Sequence, residues 1–279
     1  MQTNDTSIDP LSVTRPLALV AATLVVASVS TQYIDYLSDN SSMLAHKVAK
    51  LFDLDLELNI PAFFSMIILL TASLVLFAIT FLKKRQSDKY SFQWAILSAG
   101  FFFMAFDEIA SVHERLIEPM RILMGKENLG VFYFAWVVPA IVLIMLIGGY
   151  FLKFLIDLPS RTRRNFIIAA VFFLGGSIGL EMVSAKFSEI YGLETLNYTV
   201  LATFEEACEM GGVIIFIHGL LTYMAETYAD LRVRFISAPV EIAQASAKDN
   251  VLTPAYFDRK PALNYSTQSD SAVSYRKTA

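Results

Sequence analysis

One stretch decides the fold: Tyr198-Thr-Val-Leu-Ala-Thr-Phe-Glu-Glu-Ala-Cys-Glu-Met-Gly-Gly-Val-Ile-Ile-Phe-Ile-His-Gly-Leu-Leu-Thr-Tyr-Met224. It is apolar enough to cross a bilayer, although its first half carries Glu205, Glu206 and Glu209. A charge at membrane depth costs about 2.5 kcal/mol or more, so such residues usually face a bundle interior. At about 100° per residue, Glu205 and Glu209 lie about 40° apart, and Glu206 lies within about 100° of Glu205. The stretch therefore predicts a membrane helix with three carboxylates facing one sector.

The composition indicates a multi-pass membrane protein. The 279 residues are 55% hydrophobic and 17% charged, whereas about 25% of the residues of a typical soluble protein are charged. Mean hydropathy is +0.52. The net charge of −4 gives no information about nucleic acid, because the charges are distributed unevenly among the loops. The expected partner is the lipid bilayer, and no nucleic-acid partner is expected. The single cysteine, Cys208, excludes an intrachain disulfide and a Cys-based zinc cluster.

Apolar runs and breaks predict an all-α bundle of six transmembrane helices in a domain over residues 16–236. The first helix is interpreted as a span and not as a cleaved signal peptide, because its flank lacks positive charge. Residues 42–52 have apolar spacings of three and four, which predict a short interfacial helix. A polar N-terminal segment, 1–15, precedes the domain, and a Ser-rich disordered tail, 237–279, follows it. The six helices are expected at about 16–34, 60–82, 92–107, 131–156, 165–184 and 198–224.

The distribution of Lys and Arg predicts the orientation of these helices. Dense clusters lie in segments 83–91 and 157–164 and after helix six, whereas segments 35–59, 108–130 and 185–197 hold more acids. Positive loops stay on the cytoplasmic side. Both termini are therefore expected in the cytoplasm.

Carboxylates on three helices are predicted to reach one depth. At about 1.5 Å per residue, they lie about 22–28 Å from the inner boundary of a core about 30 Å thick. His113 and Glu114 stand just above this level if helix three continues. The six acids are Asp107, Glu108, Glu181, Glu205, Glu206 and Glu209.

Such a cluster must share protons, bind a cation or pair with bases such as Arg115, Arg121, Lys186 and His113. Carboxylates with one imidazole suit a divalent metal, Fe, Mn, Zn or Ca. Glu114 and Glu206 are the predicted catalytic acid or base. No Glu-x-x-His sequence occurs, so a ferritin-like di-iron site is not indicated. The predicted metal ligands are Asp107, Glu108, His113, Glu181, Glu205 and Glu209.

Several of these residues also have ordinary explanations. The acids of helix three can start a solvated loop, Glu181 can reach water from a helix end, and Glu205 and Glu206 can favour a helix N-terminus. Glu209 is the hardest to explain in this way, because a helix that began after Glu209 would be too short to span the membrane. His218 is expected to be a packed, hydrogen-bonded histidine, and His46 to lie on the surface.

Three functions remain open. The first is a metal-dependent membrane enzyme, a hydrolase or an oxidoreductase, acting on a lipid or lipid-linked substrate. The second is a carrier or channel coupled to protons or cations, in which Gly211 and Gly212 permit a helix break. The third is a non-catalytic subunit whose acids pair with a partner's bases. No nucleotide-binding glycine motif and no mid-helix lysine for retinal is present.

The sequences Asp107-Glu-x-x-Ser-x-His-Glu114 and Glu205-Glu-x-x-Glu-Met-x-Gly212 together resemble a pattern of bacterial multi-pass membrane proteins of unknown function. The resemblance covers about half the chain. It implies an inner-membrane location, and it does not indicate any particular activity. The Asp107, Ser111 and His113 grouping is also similar to the ligands of alkaline ceramidase and adiponectin-receptor-like hydrolases. Those proteins use three histidines and seven helices, so their activity is not transferred.

Overall fold

The computed structural model describes residues 9–38, 42–126, 128–193 and 195–228, and every regular element in them is helical. Four helical runs are long and apolar enough to cross a membrane: Pro10–Leu37, Ile60–Arg85, Val137–Asp157 and Ser160–Tyr191. A fifth joins them if the bent pair Ser91–Ala110 and Glu114–Met124 is one span. The chain is thus an all-helical protein with several membrane-spanning helices. The predicted tail, 237–279, and most of the N-terminal segment lie outside the described residues.

Nine α-helices make up the described part of the chain, and short irregular turns join them. Two 3₁₀ turns, Glu114–Leu116 and Gly130–Phe132, and one π-helix, Gly175–Leu180, interrupt the series. The α-helices are α1 (Pro10–Leu37), α2 (Met43–Phe52), α3 (Ile60–Arg85), α4 (Ser91–Ala110), α5 (Ile117–Met124), α6 (Val137–Asp157), α7 (Ser160–Leu174), α8 (Glu181–Tyr191) and α9 (Leu196–Thr227).

Helix α1 begins earlier than the apolar pattern predicts. The Asp9 side chain accepts a hydrogen bond from the Leu11 N–H, and Pro10 occupies the first turn, where its missing N–H costs nothing. Residues 10–15 thereby extend the predicted 16–34 helix at its N-terminus. Farther along, Leu19 and Val26 are more than 60% exposed, as expected for a face that meets lipid.

Helices α3 and α4 form a closely packed pair. The Ser73 hydroxyl donates to the Ser98 carbonyl at 2.8 Å, and the Ser98 hydroxyl returns a bond to the Ser73 carbonyl at 3.0 Å. Each hydroxyl thus has a hydrogen-bond acceptor on the other helix, and the small side chains let the two helix backbones approach closely, as is common between membrane helices. This pairing places the acidic end of α4 beside the start of α3.

Helix α9 is the central element, packed against α1, α3 and α7. Ile217 and Leu220 are fully buried in its inner half. A Cβ atom at Gly212 would lie 2.7 Å from the Phe173 backbone nitrogen, so only glycine permits this approach of α7. The stretch quoted first therefore lies in the middle of the bundle.

The predicted helix 165–184 is part of a longer and irregular run. It begins at Ser160, widens into the π-helix and continues as α8 to Tyr191. A Cβ at Gly176 would lie 2.8 Å from the Glu205 carbonyl oxygen, so the π-helix packs its backbone directly against α9. π-Helices of this kind are frequent at functional sites.

Irregular backbone follows the predicted helix 92–107 and replaces the start of the predicted helix 131–156. Helix α4 ends where Ser111 adopts the left-handed conformation (φ 47°), and the chain bends by 75° before α5. The predicted helix 131–156 starts only at Val137, because residues 130–132 form a 3₁₀ turn. Glu189 fixes that turn by accepting from the Leu129 and Gly130 N–H groups at 2.7 and 2.8 Å.

Candidate functional site

A cavity of about 480 Å³ opens between the ends of α3, α4, α6 and α9. All eight residues predicted as ligands or catalytic groups line it: Asp107, Glu108, His113, Glu114, Glu181, Glu205, Glu206 and Glu209. One part of its wall is acidic, and the rest is apolar and aromatic. The acids are thus gathered around one space, with three distinct sets of contacts.

The first set centres on His113. Its ring Nδ1 lies 2.7 Å from Asp107 Oδ2, and its backbone N–H donates to Asp107 Oδ1 at 3.0 Å. The left-handed Ser111 makes this possible, because it turns the chain back over the last turn of α4. With Nδ1 donating its proton to a carboxylate, Nε2 is left with a lone pair for a ligand.

Three ligand atoms, one each from Glu57, His113 and Glu114, lie within 4.8 Å of one another. Glu57 comes from the loop before α3, whereas His113 and Glu114 come from the bend after α4. Glu57 Oε2 is enclosed and has no hydrogen-bond partner among the described residues. We call Glu57, His113 and Glu114 the metal trio, because imidazole and carboxylate groups at such separations can hold one divalent ion.

This arrangement changes the parts expected of two residues. Asp107, predicted as a direct ligand, has both oxygens engaged by His113 and so positions the ring. Glu114, predicted as a catalytic acid or base, has an oxygen in the metal trio. Glu57 was not predicted at all.

The second set joins α8 to α9. Glu205 is 8% exposed and accepts a hydrogen bond from the Ser184 hydroxyl at 3.2 Å. Glu181, at the start of α8, lies close to it. The Trp136 ring N–H donates to Glu181 Oε1 at 2.8 Å. These two predicted ligands, Glu181 and Glu205, therefore each have a hydrogen-bond partner within the bundle.

The third set is Glu108, Glu206 and Glu209, which we call the open carboxyls. All three line the cavity and also a small recess of about 10 Å³ at its inner wall. Among the described residues, no hydrogen bond ends on the carboxyl group of Glu108, Glu206 or Glu209. All three side chains are half-buried, and all three line the cavity.

The loop before α3 adds acids that sequence reasoning missed. Asp55 lines the cavity and accepts from the Tyr198 hydroxyl at 3.1 Å. Burial, together with the negative charge of the neighbouring Asp53, raises the pKa of Asp55 to about 7. Burial likewise raises the pKa of Glu57, although a hydrogen bond from Ser111 lowers it in part. The sequence feature that could have indicated these acids is the alternation Asp53-x-Asp55-x-Glu57. It lies in a loop predicted to be on the same side of the membrane as the other acids.

Of the bases named as possible partners of the acids, His113 lines the cavity, whereas Arg115, Arg121 and Lys186 do not. No Lys or Arg is among the described residues that line the cavity. Arg121 instead lies over the Tyr133 ring, 4.3 Å from its centre.

Two other histidines lie elsewhere. His218 contacts the Thr14 hydroxyl at 3.4 Å, and His46 pairs with Asp35 at 2.9 Å. Neither lines the cavity.

The helices and the cavity together define a class: all-helical proteins with several membrane-spanning helices and an acid-lined internal space. Within that class the chain belongs to the family described as a domain of unknown function (DUF8692), whose model matches residues 17–224. This agrees with the resemblance to an uncharacterised family. Neither the curated proteins nor the solved structures contain a match to the chain.

Proposed function

We propose that the chain is a metal-dependent enzyme of the bacterial inner membrane that acts on a lipid or lipid-linked substrate. The observation that carries the proposal is the metal trio held at the cavity wall, with His113 oriented by Asp107. A ligating histidine that donates its other ring N–H to a carboxylate is the usual second-sphere arrangement at metal sites. Three protein ligands leave positions open for water or substrate.

The proposal includes six spans with both termini in the cytoplasm. The basic residues at the end of α3, Lys83, Lys84 and Arg85, and those at the start of α7 support one cytoplasmic face. Helix α9 covers 32 residues, about 48 Å at 1.5 Å per residue, which is ample length for the sixth span. Helix α4 supplies the third span with its bent continuation.

The metal would serve as a Lewis acid and lower the pKa of a bound water. The chain's own residues would do the rest. Asp107 holds the His113 ring in place, and Glu206, the remaining predicted acid or base, lies in the same cavity. The apolar wall, with Phe101, Leu143 and Phe151, offers a surface for an alkyl chain.

Elemental analysis of the detergent-purified protein tests the metal site. We expect about one Fe, Mn, Zn or Ca per chain, and loss of that metal in His113→Ala and Glu57→Gln. His46→Ala is the matched control, because it removes a histidine paired with an aspartate outside the cavity. Metal-free wild-type protein, or equal loss in the control, would refute the proposal.

A proton- or cation-coupled carrier is the second candidate. The neighbouring carboxyl groups of Glu181 and Glu205 favour it, because acids that face the interior of a membrane bundle are typical of proton pathways. A proteoliposome flux assay separates the two. An enzyme of the kind proposed moves no protons or cations, whereas a carrier moves them and slows when Glu205 is replaced by Gln.

A further inference from the structure

The cavity has two chemical parts, and together they define the ligand that it fits. Its acidic part holds nine carboxyl groups, and no Lys or Arg is among the described residues that line it. Its apolar part runs along α4 and α6 and includes Leu97, Phe101, Leu143, Ile147 and Phe151. A ligand that contacts both parts must be an amphiphile.

The charge of the acidic part selects the head group. Asp107 is already paired with the His113 ring, and Ser184 and Trp136 already donate to Glu205 and Glu181. An anionic head group such as a phosphate would meet further negative charge and no Lys or Arg partner. A cationic group would relieve the repulsion among the remaining acids.

The open carboxyls mark where such a cation would lie. Glu108 approaches the recess from α4, and Glu206 and Glu209 approach it from α9, with Ser65 of α3 beside them. An ammonium group has three N–H donors and no acceptor, which matches three carboxyl groups that lack other hydrogen bonds. Guanidinium is larger and flat, and fits a narrow recess less well.

We propose that this cavity binds a single-chain amphiphile with a primary ammonium head group, placed against Glu108, Glu206 and Glu209. The proposal deepens the proposed function and rests on it, because the metal trio lines the same cavity. The volume of about 480 Å³ lies within the range of about 300–1,000 Å³ seen for small-ligand pockets. One alkyl chain suits it better than the two chains of a phospholipid.

Binding to purified protein in an uncharged detergent is the direct test. Dodecylamine, dodecanol and dodecyl phosphate share one chain length and differ only in the head group. Titration calorimetry should show dodecylamine binding about 10- to 100-fold more tightly than dodecanol, the range expected for hydrogen bonds to a charged group. Dodecyl phosphate should bind most weakly. Equal affinities for the amine and the alcohol would overturn the proposal.

The intrinsic fluorescence gives a second readout. Trp136 lines the cavity, whereas Trp94, the other tryptophan, is 1% exposed and stacks on Tyr223 outside it. Dodecylamine should change the emission of the wild-type protein and of Trp94→Phe, but not that of Trp136→Phe. An equal change in Trp136→Phe would place the amine elsewhere and refute the site.

Variants of the open carboxyls test the head-group position. Glu206→Gln and Glu209→Gln should each weaken dodecylamine binding about tenfold or more and leave dodecanol binding unchanged. Glu226→Gln is the control on the same helix, because Glu226 pairs with Arg161 and does not line the cavity. Unchanged amine affinity in both folded variants contradicts the proposal, and thermal unfolding identifies any variant that has lost its fold. If both fail to fold, Glu108→Gln takes their place.

Metal content measured on the same samples separates this proposal from the proposed function. Protein that retains metal but does not discriminate amine from alcohol refutes only the head-group assignment. Protein that binds the amine but holds no metal refutes the metal-dependent enzyme and leaves the amphiphile site standing.

Discussion

Replacing Asp107 by Asn tests how far the metal trio depends on the orientation of His113. The Asp107 carboxylate accepts from the His113 backbone at 3.0 Å and contacts its Nδ1 at 2.7 Å. Asn can keep the first bond, but its amide matches the ring N–H less well and carries no charge. Loss of such a carboxylate costs about 10- to 100-fold in metal affinity, which corresponds to about 1.4–2.7 kcal/mol.

Competition with a chelator of known affinity measures this change. The protein is loaded with Zn²⁺ or Co²⁺ in detergent, and the free metal that halves its occupancy is compared between the wild type and Asp107→Asn. Asp35→Asn is the matched control, since it alters the other Asp–His pair, which lies outside the cavity. If Asp107→Asn binds metal within about twofold of the wild type, or Asp35→Asn loses as much, the positioning argument is refuted.

Two further predictions concern the fold. Gly176→Ala should destabilise the protein by about 1–3 kcal/mol, because the new Cβ would lie 2.8 Å from the Glu205 carbonyl oxygen. Gly179→Ala is the control and should be tolerated, since a Cβ there meets nothing within 4 Å. Thermal unfolding in detergent compares the two variants, and equal melting temperatures would contradict the predicted clash at Gly176. Burial raises the pKa of Asp88, but hydrogen bonds from a backbone N–H and from the Lys83 ammonium outweigh it, so that the pKa is lowered. Since the folded pKa lies below the unfolded one, the stabilisation is present at neutral pH and is lost as the pH falls through the lowered pKa. Asp88→Asn should therefore unfold at a lower temperature than the wild type at neutral pH, by an amount that shrinks below about pH 4, and a difference independent of pH would exclude this explanation.

The sequence predicted the all-helical class and the grouping of the acids because both follow from regular spacing. Helical periodicity placed Glu205, Glu206 and Glu209 in one sector, and the rise per residue brought Glu181 to their level. All of them line the cavity in the structure. The six-span count, the orientation and the metal stay predictions.

What sequence reasoning missed depends on irregular backbone. Glu57 lies in a loop before α3, and no helical period relates its position to that of His113. The contact between Asp107 and His113 needs a left-handed Ser111, a conformation that few non-glycine residues adopt and that no helical pattern reveals. The late start of α6 likewise depends on Glu189, which is 59 residues from the Gly130 N–H that it binds.

The origin of the metal trio in two separate segments has a consequence for folding. Glu57 stands before α3, whereas His113 and Glu114 follow α4, so the three ligands meet only after the α3–α4 pair has formed. A bound ion would then act as a cross-link between the two ends of that pair and would stabilise the folded chain by mass action, by about 2.7 kcal/mol at a free metal concentration of about 100 times Kd. Occupancy and thermal stability should rise together, so that chelation loosens the same end of the bundle at which the cavity opens.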